Sequence, residues 1–177
     1  MKNVIVSDAD LSAYSGEHLL YELQYLWFSA SELRRLTQPS SMASVLIESF
    51  GIHLRNLIDF FCTPAGSERD DDVIASDFYP GWQENISDTF KTAKTRANKV
   101  LSHLTLERTT GQPWDVDVLL KEVMGIATRF AAKASPSKLS PKVAEWLALV
   151  NKPATTMAVD RSLIASNCTV SMVTSGF

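Results

Sequence analysis

Residues 41–61 read SMASVLIESFGIHLRNLIDFF, and the spacing of their apolar positions decides the fold class. Leu46, Phe50, Leu54, Leu57 and Phe61 recur at steps of three and four. Such steps gather on one stripe of an α-helix, whereas a half-buried strand would alternate at every second residue. Ser41 reads as the N-cap, since its hydroxyl can accept a first-turn amide, and the helix is expected over residues 42–61. Cys62-Thr63-Pro64-Ala65-Gly66 then ends it, because Pro and Gly together punctuate a chain.

The same period extends in both directions. Upstream, Leu19, Leu23, Leu26, Trp27, Ala30 and Leu33 share a stripe, predicting a helix over residues 15–36 that Gln38-Pro39-Ser40-Ser41 breaks. Downstream, residues 72–79 allow one or two turns before Pro80-Gly81. A third long helix is expected over residues 87–107, with Phe90, Ala93, Ala97, Val100, Leu101 and Leu104 inward and Thr110-Gly111-Gln112-Pro113 as the stop. Asp115 reads as the N-cap of a fourth, to residue 134, buried through Leu119, Leu120, Val123, Ala127 and Phe130. A short helix over 141–150 follows Ser135-Pro136, and from about residue 151 periodicity is lost. The expectation is an all-α chain: an antiparallel four-helix bundle in residues 1–135, with a short extra helix and an irregular extension in 136–177.

Composition narrows the function classes. With 45 % apolar and 21 % charged residues the chain is neither low-complexity nor wholly disordered, and 177 residues can bury a core without staples. A net charge of -3, from 17 Lys+Arg and 20 Asp+Glu, argues against a protein that coats nucleic acid through overall basicity. Cys62 and Cys168 lie far apart with no ligand spacing, so no metal or cofactor is expected. No apolar run is long enough to span a membrane, and Met1–Asp8 is no secretory signal, so a soluble cytoplasmic protein is expected. Gly-rich phosphate loops, dinucleotide fingerprints, His-Glu-x-x-His and Cys-x-x-Cys are all missing from the sequence.

Polar residues stand out on two helices. His53, Arg55, Asn56 and Asp59 fall within seven residues of a half-buried helix, where unpaired polar groups are costly. Asn56 and Asp59 share a side, and Arg55 can pair with Asp59 at four apart. On the third helix Arg96 and His103 are seven apart, which is nearly two α-helical turns, with Lys99 between them and Thr92 before them. This ridge suits a phosphodiester, since Arg binds phosphate oxygens bidentately and His exchanges protons near neutral pH. The two helices are expected to face each other and to join their polar residues in one network. The bland reading of Arg96 and Lys99 is a solvated flank, that of Arg55 and Asp59 a structural ion pair, and that of Asp70-Asp71-Asp72 a solvated turn.

Arg96-Ala97-Asn98-Lys99-Val100-Leu101-Ser102-His103 resembles the Arg-x(4–6)-His signature of HEPN domains. Arg55-Asn56-Leu57-Ile58-Asp59-Phe60-Phe61 and Asn98-Lys99 with His103-Leu104-Thr105 also resemble stretches of bacterial abortive-infection-type proteins of that group, and the likeness covers about residues 15–135. It implies a dimerising helical bundle that binds RNA or cleaves it without metal, in toxin–antitoxin or phage-defence settings, with an antitoxin protein as a further partner. On this likeness His103 is the acid/base and Arg96 holds the scissile phosphate, while Arg55, Asn56, Asn98 and Lys99 support the substrate. Ala97 departs from the polar residue that usually follows the Arg; Arg55-Asn56 has that residue but no His four to six positions on. The alternative is a non-catalytic helical interaction protein whose polar residues serve structure. Trp27, Phe28, Phe60 and Phe61, at the edges of their stripes, are expected to cover a homodimer surface or a lid.

Overall fold

The computed structural model describes residues 6–69, 71–101 and 113–152, with backbone alone at positions 100 and 101. The stop expected at 110–112, the end of the third long helix, His103 and the extension from residue 153 lie outside the described residues. Within them every regular element is helical, so the chain is all-α.

The first rod comprises α1 (Asp8–Tyr14), a π-helical segment (Ser15–Leu19) and α2 (Leu20–Leu33). It begins well before the expected residue 15 because Ser7 and Asp10 form a capping box. The Ser7 hydroxyl accepts the Asp10 amide at 3.1 Å, and the Asp10 carboxylate accepts the Ser7 amide at 3.4 Å. At the π segment, buried Ser15 donates to the Ser12 carbonyl and accepts the backbone amide of Ser140 at 2.9 Å. A Cβ on Gly16 would stand 2.8 Å from the Ser140 hydroxyl, so only glycine lets the start of the last helix come this close.

Helix α3 (Ser41–Cys62) is central, packing against α2, α5 and α6. Its cap is Ser40 rather than Ser41: Ser40 is extended and its hydroxyl accepts the Ala43 amide at 3.2 Å, while Ser41 is already helical. All five residues of the expected stripe are buried. Buried Ser29 bonds Ser49, and Glu22 reaches His53 and Asn56, so α2 and α3 run antiparallel.

The connection out of α3 holds one helical turn, α4 (Ala75–Phe78), where the Asp77 carboxylate accepts the Ile74 amide. It carries Phe78 and Trp82 back over the end of α3, and the Trp82 indole donates to the Phe61 carbonyl at 2.8 Å. That carbonyl belongs to the last turn, where no helical amide can reach it. Ser87 then caps α5 (Asp88–Arg96), which runs into a second π segment (Ala97–Leu101). Asp115 caps α6 (Val116–Ala131) as its sequence suggests, and α7 (Pro141–Val150) has the expected bounds.

The core closes around Phe130 of α6. Its ring meets Phe60, Phe61, Phe78 and Trp82 at centroid separations of 5.4–5.6 Å, each steeply inclined. Phe60 and Phe61 are therefore interior residues, not the partner-covering ones expected from their stripe positions. The α4–Trp82 connection supplies neighbours that a single-helix projection cannot show. Trp27 is likewise half-buried against the core, while Phe28 remains exposed. Val143 and Leu147 of α7 join this same core.

Truncating Phe130 to Ala should remove four ring contacts at once and lower stability by about 3–5 kcal/mol in urea unfolding. Phe28→Ala should change it by less than about 1 kcal/mol. Equal losses for the two would contradict the placement of the core.

Candidate functional site

Three polar groupings surround α3. The first lies in the seam with α2. His53 is buried, and its Nδ1 stands 2.7 Å from Oε2 of Glu22; a carboxylate only accepts, so the imidazole donates through Nδ1–H. The Asn56 amide donates to the other Glu22 oxygen at 3.2 Å. Tyr21 and Tyr25 both set their rings 5.4 Å from the His53 ring and stack 4.3 Å from each other. Burial, then the charges of Glu22 and Asp72, push the Tyr14 hydroxyl above its ordinary value. One carboxylate thus holds two α3 side chains and acts on a third group nearby.

The second grouping links α3 to α5. Arg55 approaches Asp59 at 3.9 Å one turn on, and Lys94 of α5 closes on the same carboxylate. All three side chains are more than a third exposed, so the cluster contributes at most about 1 kcal/mol per pair.

The third is on α5 itself. The Arg96 guanidinium lies 4.5 Å from the centroid of the Trp114 ring, and Trp114 in turn meets Phe50 of α3 edge-on. The Arg96 Nε is buried without a hydrogen-bond partner, and burial draws the group below the ordinary arginine value while leaving it cationic. Asn98 is half-buried and Lys99 exposed on the π segment that comes next.

The expected single network is thus divided. His53 and Asn56 turn to α2, Asp59 turns to α5, and Arg96 meets Trp114. The cause is angular: neighbours on a helix are 100° apart, so His53 and Arg55 face nearly opposite sides. The equal-face spacing of Arg96 and His103 assumed an unbroken α-helix. The described helix is instead π-helical over Ala97–Leu101, directly after Arg96. His103 itself lies outside the described residues.

Sequence reasoning missed Glu22, the two tyrosines, Lys94 and Trp114. Nothing in a one-dimensional stripe marks Glu22; the available signal was that a buried His beside an Asn demands an acceptor from another helix. Asp72, in the acidic loop, accepts the Arg69 amide at 3.0 Å and closes a turn. Among the described residues no three His, Cys, Asp or Glu side chains gather as a metal site would require, and no helix is long and apolar enough to cross a membrane. Burial, followed by the charge of Glu84, pushes the Cys62 thiol up to about 12, so it is protonated near neutral pH and a poor nucleophile. No family model, curated protein or solved structure matches the chain.

His53→Ala should orphan part of Glu22 and lower stability by about 1–3 kcal/mol in urea unfolding; a change within experimental error would show that the seam does not need the pair. In a Cys168→Ser background, Cys62 should resist iodoacetamide at pH 8 in buffer and react readily in 8 M urea. Stability linked to this thiol is complete below the unfolded cysteine value, about 8.5, and declines as pH rises toward 12. Rapid alkylation of the folded chain would contradict the burial.

Proposed function

We propose that this chain is a helical interaction protein in which the polar residues of α3 join helices instead of performing chemistry. The observation behind this reading is that His53 and Asn56, the most unusual polar pair on a half-buried helix, both end on Glu22. The Glu22 bond leaves a buried ring with only its Nε2 for any further role, and one of the two Asn56 N–H donors is already spent on the same carboxylate. Asp59, with Arg55 and Lys94 on it, is likewise bound into a helix-to-helix tie.

A second reading is favoured by Arg96. Its guanidinium lies over an indole, and among the described residues its buried Nε has no hydrogen-bond partner. That suits phosphate binding. In this reading the chain is a cytoplasmic HEPN-like four-helix bundle that binds or cleaves RNA without metal, as a homodimer, within a toxin–antitoxin or phage-defence system. His103 is its acid/base, Arg96 its phosphate-holding residue, and Arg55, Asn56, Asn98 and Lys99 line the strand.

Incubating total RNA in EDTA with the wild-type chain, His103→Ala and Arg96→Ala separates the two. The interaction reading expects background cleavage from all three. Cleavage by the wild type that falls at least about 100-fold in either variant, with unchanged melting temperature, would overturn it and establish the second.

A further inference from the structure

No further inference is drawn: the strongest candidate, the exposed apolar face that Tyr21, Phe28, Val45 and Ile52 form along the α2–α3 seam, carries nothing because nothing in the structure shows what covers it.

Discussion

The fold depends on Phe130 being enclosed by four other aromatic rings. Phe60 and Phe61 come from the end of α3, Phe78 from α4 and Trp82 from the loop after it, so one side chain of α6 collects three separate stretches of chain. Inclined aromatic pairs contribute about 0.5–1.5 kcal/mol each beyond the area they bury, against at most about 1 kcal/mol for an exposed ion pair. The rings therefore outweigh the Arg34–Asp117 and Arg129–Glu84 bridges on the surface. The hydrogen bond from Trp82 to the Phe61 carbonyl adds direction to that packing, satisfying a buried indole and an orphan helix carbonyl together. With the connection so fixed, α5 has a defined start, and Lys94 and Arg96 come to Asp59 and Trp114.

The parts of this architecture that obey a helical period were legible from residues alone. The stripes of α3 and α6, the Asp115 cap and the bounds of α7 rest on local rules, and the structure keeps them. The features that escaped were set by more distant neighbours. The two π segments, Ser15–Leu19 and Ala97–Leu101, leave no compositional mark. Ser40 and Ser41 are chemically equivalent caps, and only the backbone conformation of Ser40 selects it. Phe60 stands one position off the α3 stripe, and the returning chain with Phe78 makes it interior.

The candidate site shows the same division. That the polar residues between His53 and Asp59 must have partners was readable from the cost of burying them bare. Which partners they have was not, because adjacent helix positions look toward different neighbours. His53 and Asn56 look to α2, whereas Asp59 looks to α5, so a cluster that is compact in sequence is shared between two interfaces. Arg96 differs in kind. Its neighbour is an indole eighteen residues ahead in sequence, across residues outside the described set, and no pattern within α5 announces it.

The contact of Ser15 and Gly16 with Ser140 bears on the order in which the molecule can be made. The backbone amide of Ser140 and the hydroxyl of Ser15 lie 125 positions apart, and Ser137 reaches Asp8 across 129. During synthesis, the groove that Gly16 leaves open stays unfilled until α7 has left the ribosome. Contacts of that sequence separation raise the contact order of the fold, and they cannot form until α7 has been made, when the antiparallel pairing of α2 with α3 is already available. The aromatic centre can then form before the chain is circularly closed. The two ends of the described fold act as a late seal on it.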